Sequence, residues 1–268
     1  MPEYEPRMSD ASIPEMPIRK PSAAQEPAPP KTVISIHAHP DDQEFTVAGT
    51  LAKWARGGSD ILSVIVTDGE AGSNDPSKDG SFRTELAGIR RQEQLRAAQI
   101  LGIQQTVFLH YPDGELEATL GLRKDLTRLI RKFRPEVVVC GDPTVRFYGN
   151  SYMNHPDHRA AADAACDAAF PSAGSRLSFP DLLQEGLPPY DPHRVFLHGS
   201  DRPDVWIDIA ETLTLKIEAL KQHRSQIGNE DVGKRIGEWA AEDGRERGLA
   251  YAEAFRVMIL VEETSGAG

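Results

Sequence analysis

The chain has few cysteines and few tryptophans. Cys140 and Cys166 are the two cysteines among 268 residues, and neither has a neighbouring cysteine or a CxxC spacing. A disulfide framework and a thiolate zinc site are therefore not supported, and both side chains are interpreted as small buried hydrophobic residues. Of the three tryptophans, Trp54 and Trp206 are interpreted as packing residues. Trp239 lies in a charged helical stretch and stays unassigned.

Long apolar runs and an excess of positive charge are also missing. No uncharged stretch is long enough to span a bilayer, and no basic segment followed by an apolar run opens the chain, so we expect a soluble, cytoplasmic protein. The chain carries 30 basic and 41 acidic residues, a formal net charge of −11. This charge disfavours nucleic acid or an anionic membrane surface as the main partner, although a local basic patch would override the average.

The first 30 residues differ from the rest of the chain in composition. They hold 8 of the 20 prolines and show little apolar periodicity. Such a segment cannot bury enough surface to offset the entropy of ordering, so we expect residues 1–30 to form a disordered tail. Residues 31–268 are within the size range of one α/β domain, and they show no internal repeat.

Short apolar runs alternate with longer helix-prone segments through this domain. The alternation predicts parallel βαβ units and therefore an α/β fold. Residues 171–192 are rich in Pro, Gly and Ser, which predicts a long irregular excursion that borders the active site. The predicted strands are 32–36, 61–67, 106–110, 136–140, 194–198, 205–209 and 255–261, and the predicted helices are 42–55, 83–101, 120–133, 156–169 and 211–223.

Two polar motifs lie where strands should meet helices. Residues 38–42 read AHPDD directly after the first predicted strand, and residues 154–158 read NHPDH at the start of a later helix. In parallel sheets, ligands gather beyond the carboxyl ends of the strands, so we expect both motifs at one site. Their imidazoles and carboxylates are suitable ligands and acid/base groups for a divalent metal.

Each motif residue also has a simpler interpretation. Asp41 or Asp42 alone would be a helix cap, although one cap needs only one member of the adjacent pair. His155 or His158 alone would be a surface or structural histidine. The two motifs together favour a metal site, in which one carboxylate of the Asp pair binds the metal and its neighbour stays free as a base.

With these motifs in this order, the chain resembles the LmbE-like, or PIG-L-like, zinc-dependent deacetylases, which remove acetyl groups from N-acetylglucosamine-type sugars. The likeness covers nearly all of residues 31–261. Several members carry Glu directly after the Asp pair, whereas this chain has Gln43 and then Glu44, an insertion that other members share. Beyond the two motifs, the matching residues are Thr67, Gly69, Glu70, Arg90, Glu93, Pro112, Asp113, Gly114, Lys221, His223, Ser225 and Gln226.

The resemblance implies a Rossmann-like three-layer sandwich with a mostly parallel sheet, and it assigns roles at the site. His39, Asp42 and His158 would bind Zn²⁺, or another divalent ion such as Fe²⁺, because His and carboxylate ligands discriminate poorly between metals. Asp41 would be the general base. His155 would be the second catalytic group, outside the ligand set, because a catalytic metal keeps an open position beside three protein ligands.

The implied reaction releases acetate and a free amino sugar. The metal would activate water and polarise the amide carbonyl, Asp41 would take the water proton, and a protonated His155 would help to hold the oxyanion. Either of these two groups would then protonate the leaving amine. Asp157 or another carboxylate would orient the imidazole ring. Compact members of the family often form trimers or hexamers, so a homo-oligomer is a further expectation.

Two residues outside the motifs are expected to contact the substrate. The resemblance implies that Arg90 contacts the sugar and that Asp113 binds its hydroxyls. Arg90 could instead belong to a solvated helix face with Arg91 and Glu93. Asp113 could simply set the turn formed with Pro112 and Gly114.

Other protein classes are weighed against this interpretation. No GxGxxG follows the first strand and no Walker sequence occurs, which disfavours a nucleotide-binding domain. A metal-dependent phosphoesterase and an amidase acting on another small glycoside stay as alternatives, although a two-metal phosphoesterase usually needs more ligands. A catalytically silent sugar-binding protein is a third, and the intact Asp41 and His155 argue against it.

Overall fold

The computed structural model describes residues 27–228, 230–245 and 247–262. The predicted disordered tail lies almost entirely outside these residues, and both the tail and the single domain stay predictions. Where the structure describes the chain, no helix is both long enough and apolar enough to cross a membrane. The strands are β1 Thr32–His37, β2 Asp60–Thr67, β3 Gln105–Tyr111, β4 Val137–Gly141, β5 Phe147–Tyr148, β6 Tyr152–Met153, β7 Arg194–His198, β8 Val205–Asp208 and β9 Ala252–Ile259.

Seven of these strands form one mostly parallel sheet, in the order β3-β2-β1-β4-β7-β9-β8. Strands β3, β2, β1, β4 and β7 are parallel, whereas β9 runs antiparallel to both of its neighbours. The predicted α/β class is therefore confirmed, with one antiparallel strand near an edge. Strands β5 and β6 form a separate two-stranded hairpin between β4 and the next helix.

Helices cover both faces of the sheet, which gives the predicted three layers. Side chains of β1 alternate between the faces: Val33 packs in one cluster with α2, α3 and α7, and Ile34 packs in the other with α4 and α5. The helices are α1 Asp42–Thr46, α2 Ala48–Arg56, α3 Phe82–Leu101, α4 Leu120–Phe133, α5 Pro156–Asp167, α6 Asp181–Gln184, α7 Leu213–Leu220, α8 Arg224–Ile227 and α9 Val232–Arg245, with a π-helical turn at 168–172.

Local sequence accounts for several of these boundaries. Strand β1 is rich in β-branched residues and almost wholly buried, as expected for a central parallel strand. Helix α3 ends at Gly102, which has φ 81° and adopts the left-handed conformation that favours glycine. The Oγ1 of Thr119 accepts a hydrogen bond from the Leu122 amide at 3.2 Å and so caps α4.

Two predictions about the chain path were wrong. The predicted helix 42–55 is divided at Val47 into α1 and α2, and the Asp41 side chain makes no capping hydrogen bond to α1. The excursion 171–192 contains α6 and packs against α4, where the buried Arg131 guanidinium donates to the carbonyls of Ser172 and Ala173. None of its residues lines the large cavity beside the candidate site. It therefore does not border the site as expected.

The strand order places a crevice between β1 and β4. The chain moves from β1 to β2 and β3 on one side and then crosses to β4 on the other side. At such a switch point the two loops diverge beyond the carboxyl ends of the strands and leave room for ligands. Both polar motifs approach this crevice, the first directly after β1 and the second after β4 and the β5-β6 hairpin.

Candidate metal centre and active site

The first motif is a tight loop between β1 and α1. Asp41 has φ 102° and ψ −28°, a left-handed conformation that costs energy for a residue with a side chain. Its amide donates to Oε1 of Gln94 on α3 at 3.0 Å. The carboxylate of Asp42 turns back and accepts a hydrogen bond from the His39 amide at 2.8 Å. Neither carboxylate is therefore occupied as a helix cap.

The second motif forms the start of α5. His155 is the N-cap residue, and its Nδ1 accepts a hydrogen bond from the Asp157 amide at 3.3 Å. Asn154 is buried and fixes the loop before the helix, because its amide donates to the Arg146 carbonyl at 2.8 Å and its Nδ2 to the Val145 carbonyl at 3.0 Å. Its Oδ1 lies 3.2 Å from Nδ1 of His158.

The two motifs bring three donor side chains together. Nε2 of His158 lies 3.0 Å from Oδ1 of Asp42 and 3.2 Å from Nδ1 of His39, and that Nδ1 lies 3.4 Å from Oδ2 of Asp42. Ligands held at 2.0–2.2 Å by one tetrahedral ion lie about 3.4 Å apart. The spacing therefore fits one divalent cation.

Hydrogen bonds on the far side of each ring direct the lone pairs of these histidines. Oδ1 of Asn154 can only accept, so Nδ1 of His158 donates to it and Nε2 is left with a lone pair. Nε2 of His39 likewise lies 3.0 Å from Asp113 and 3.3 Å from Asp157, which leaves Nδ1 with the lone pair. In both rings the free lone pair is on the nitrogen that approaches Asp42, as a metal ligand requires.

Burial alone would raise the pKa of Asp42, but the charges and hydrogen bonds of His158 and His39 hold it well below its usual range. The carboxylate is therefore ionised. Burial also opposes protonation of His158, and the Asp42 charge outweighs it and raises the His158 pKa. A carboxylate that attracts a proton onto a neighbouring imidazole will attract a cation to the same place.

Two further sets of ligand atoms share His39. The atoms of His39, His155 and His158 lie within 4.8 Å of one another, and so do those of His39, Asp113 and Asp157. The carboxylates of the second set already accept backbone amides, Asp157 from Gly114 at 2.7 Å and Asp113 from Ala71 at 2.8 Å. Burial would raise the pKa of Asp113, but the hydrogen bond and charge of His39 and the Ala71 amide lower it to about 2.

Asp113 therefore lies against the His39 ring rather than only shaping a turn. The Asp157 carboxylate lies 3.3 Å from Nε2 of the same His39 ring and 3.9 Å from Nδ1 of His155, the ring that it was expected to orient.

Asp41 belongs to a buried set of polar residues, called the Asp41 network below. Arg90 is 4% exposed, and its Nη2 lies 3.2 Å from the Asp41 carboxylate and 2.5 Å from the Pro40 carbonyl. The solvated helix face proposed for Arg90 is therefore wrong. The network consists of Asp41, Glu44, Arg90, Gln94 and His223.

The network changes the pKa of the Asp41 carboxylate. Burial raises its pKa, the Arg90 charge lowers it, and the nearby Asp42 raises it again, to about 6. A carboxylate with this pKa is ionised near neutral pH yet binds a proton more readily than an ordinary Asp.

Two positioning residues escaped the sequence analysis. Gln94 is one helical turn after Arg90 on α3 and so shares its face, a spacing that signals a common site. Asn154 is part of the second motif, but no sequence pattern predicted that it would accept a hydrogen bond from Nδ1 of His158. The stacked pair of His37 and His198, with ring centroids 5.2 Å apart, had no sequence signal at all, because the two rings meet across the sheet.

A mostly parallel α/β sheet with a His/Asp donor cluster at its switch point defines an α/β protein with a candidate metal centre. Comparison with known proteins gives the family. Residues 34–169 match the PIG-L family, described as GlcNAc-PI de-N-acetylase. The chain belongs to this family, which confirms the predicted resemblance and the predicted reaction class, hydrolysis of an N-acetyl amide.

Among its relatives, the diacetylchitobiose deacetylase of Thermococcus kodakarensis is 33% identical, over 84% of this chain and 82% of the relative. A probable N-acetyl-alpha-D-glucosaminyl L-malate deacetylase 2 of Bacillus anthracis is 28% identical, over 73% of this chain and 81% of that protein. The solved structure of N,N'-diacetylchitobiose deacetylase from Pyrococcus horikoshii superposes with a TM-score of 0.78 at 32% identity, over 86% of this chain and 84% of that chain.

Proposed function

We propose that this protein removes the acetyl group from an N-acetylglucosamine-type sugar and releases acetate and the free amino sugar. The convergence of His39, Asp42 and His158 carries the proposal, because three donors from two distant motifs approach one point with Asp41 beside them. The deacetylase relatives support the choice of an N-acetylated sugar over a phosphoester.

His39, Asp42 and His158 would hold the metal ion, and His155 would stay outside the ligand set. The spacing of the three donor atoms fits zinc, and the same donor types also suit Fe²⁺. When bound, the ion would polarise the amide carbonyl and lower the pKa of water.

Asp41 is the general base in this proposal. Its ionised carboxylate is held by Arg90 next to the ligand Asp42, and a pKa of about 6 suits a group that takes a proton from water during attack. The same pKa allows Asp41 to return that proton to the leaving amine. Arg90 acts on the substrate through Asp41 or directly, with its Nη groups already donating to the Pro40 and Gly69 carbonyls.

His155 supplies a hydrogen bond to the developing oxyanion. Burial and the charge of His39 lower its pKa, so its neutral form is favoured over the protonated form that the sequence-based mechanism assumed. Because Nδ1 accepts the Asp157 amide, the ring proton is on Nε2 and is available for donation. A neutral donor is sufficient for this role.

The test is to incubate metal-loaded protein with a panel of N-acetylated sugars and to measure acetate and free amine together. We expect the two products in equal amounts. Asp41→Asn should lower kcat by about 100- to 10,000-fold while metal content, measured by elemental analysis, stays at the wild-type level. Asp75→Asn, in an exposed loop, is the matched control. Full turnover by Asp41→Asn with metal bound would refute the role of the base.

Two further expectations concern the oligomeric state and the cellular location. Assembly into a trimer or hexamer stays a prediction, which light scattering of the purified protein checks. A cytoplasmic location also stays a prediction, which cell fractionation checks.

A further inference from the structure

One cavity extends from the candidate metal centre to helix α9. Its volume is about 1220 Å³, and its lining includes His158 at the metal centre and Trp239 on α9. The lining follows the carboxyl edge of the sheet from His37 on β1, past Gly141 on β4, to Phe255 on β9. These strands are three spacings apart, about 14 Å. The volume also exceeds the roughly 300–1,000 Å³ that holds a drug-sized ligand, so the cavity has room for more than one sugar ring.

Three exposed aromatic rings line this cavity and are called the aromatic wall below. They are Tyr148 and Tyr152 on the β5-β6 hairpin and Trp239 on α9, with exposed fractions of 37%, 53% and 49%. The two tyrosine rings lie 5.9 Å apart between centroids. Trp54, by contrast, is 1% exposed in the core. Large aromatic groups left open to solvent in one cavity are typical of a binding surface.

The Trp239 side of the wall is braced from behind. The Arg235 guanidinium lies over the Trp239 ring at 5.4 Å and over the Phe45 ring at 5.6 Å, and it is ion-paired with Glu230 at 2.8 Å. A fixed and half-exposed aromatic ring suits a ligand that presents an apolar face.

Away from the metal centre the cavity lining is acidic. The cations are already committed, Lys216 to Glu253 at 2.6 Å and Arg235 to Glu230. An anionic group would be repelled there, whereas an uncharged ring would not. The carboxylates that line this part are Asp142, Glu242, Asp243 and Glu253, against the cations Lys216 and Arg235.

We infer that the protein is built for uncharged glycosides in which the N-acetylated sugar is joined to a second ring, and that this second ring binds at the aromatic wall. The inference rests on the proposed function, because the N-acetylated ring must occupy the metal centre. The C–H groups of the second ring stack on the faces of Trp239 and the tyrosines.

The first test compares kcat/KM for N,N'-diacetylchitobiose with kcat/KM for N-acetylglucosamine. We expect Trp239→Ala to lower this ratio about tenfold, the effect of losing one aromatic contact, and Trp239→Phe to restore most of it. Phe147→Ala is the matched control, because Phe147 is an exposed aromatic residue of the same hairpin that does not line the cavity. An unchanged ratio in Trp239→Ala would overturn the inference.

The second test measures binding without turnover. In metal-loaded Asp41→Asn, titration with diacetylchitobiose should change the Trp239 fluorescence and saturate, and Trp239→Phe in that background should lose the signal. N-acetylglucosamine and N-acetylglucosaminyl malate should bind at least about tenfold more weakly. Equal binding of the monosaccharide, or tighter binding of the malate glycoside, contradicts the inference. Because this signal does not need acetate release, it separates failure of the second-ring site from failure of the proposed deacetylase activity.

Discussion

The two sides of the site, the Asp41 network beside the metal centre and the aromatic wall of the cavity, differ in how far their polar groups are bonded within the protein. On the β1 side, the Asp41 network is buried, and its members bond mainly to one another. On the α9 side, the aromatic wall is exposed and makes few polar contacts, such as the 3.0 Å hydrogen bond from the Tyr148 hydroxyl to the Gly199 carbonyl. We expect the first side to determine whether the reaction occurs and the second to determine which sugar is accepted.

This difference follows from the requirements of each task. A base and a metal ion need fixed distances, and a low-dielectric surrounding keeps charged groups in place only when all of them are paired. A sugar ring is recognised through apolar faces and hydroxyls, which exposed aromatic groups can bind with little reorganisation. A substitution among the metal ligands or in the Asp41 network should therefore lower activity more than a substitution in the aromatic wall.

The largest effect is expected from loss of a metal ligand. His158→Ala should weaken zinc binding by more than about 100-fold and abolish turnover, because the remaining two donors cannot close the site. Asn154→Ala should weaken it by about 10- to 100-fold, since all three ligands stay but the Oδ1 that orients His158 and the Nδ2 bond to the Val145 carbonyl are lost. Competition with a chromogenic chelator measures both. Equal zinc affinity in wild type and His158→Ala would contradict the ligand assignment.

A smaller effect is expected from Gln94→Leu. The Asp41 amide would lose its Gln94 partner and Oε1 of Glu44 would keep only its bond from Gln43, so the left-handed Asp41 conformation should relax and kcat should fall about tenfold. The free energy of unfolding should fall by about 1–3 kcal/mol, the cost of buried polar groups left without partners. Gln92→Leu on the exposed face of α3 is the matched control. Denaturant melts and initial rates measure the two effects, and a Gln94→Leu variant indistinguishable from the control would remove Gln94 from the site.

The Asp41 network also predicts a pH-dependent stability. Burial lowers the pKa of His223, but the hydrogen bond and charge of Glu44 outweigh it and raise the pKa above its usual value. A raised folded-state pKa stabilises the fold fully below the unfolded value near 6.5, and this stabilisation is lost as pH rises through the folded value.

The stability difference between wild type and His223→Gln should therefore be larger at pH 5.5 than at pH 8.5. Denaturant melts at the two pH values measure it. A difference that grows with pH would show that His223 is neutral in the folded protein.

The smallest effect is expected on the α9 side. Tyr148→Phe removes the hydrogen bond to the Gly199 carbonyl but keeps the ring in the aromatic wall. We expect KM for diacetylchitobiose to rise by less than about threefold with kcat unchanged, because an exposed hydrogen bond contributes little. Steady-state kinetics check this. A large fall in kcat would place Tyr148 with the catalytic groups and break the contrast between the two sides.

The sequence was sufficient to predict the α/β class and the meeting of the two motifs. Both results follow from local signals, namely buried β-branched strands such as β1 and polar residues directly after them. The split of the first helix at Val47 was not predictable, because helix propensity alone favours a continuous helix there. The left-handed Asp41 was not predictable either, because its amide is held by Gln94 some fifty residues later.

Tertiary contacts also decided between the alternatives left open for Arg90. Its neighbours Arg91 and Glu93 allowed a solvated helix face, but its burial depends on the Pro40 and Gly69 carbonyls of two separate loops. The aromatic wall combines a hairpin after β4 with a helix more than eighty residues later. No spacing within the sequence could have joined Trp239 to Tyr148.

The hairpin between β4 and α5 is closed at its base by Asn154, which donates to the carbonyls of Arg146 and Val145. Those two bonds fix the start of α5 independently of the hairpin tip. We therefore expect that replacing residues 147–153 by a longer or less aromatic loop would alter the accepted glycoside without shifting His158. Within one fold, new sugar preferences could arise by loop exchange while the hydrolytic machinery is inherited intact.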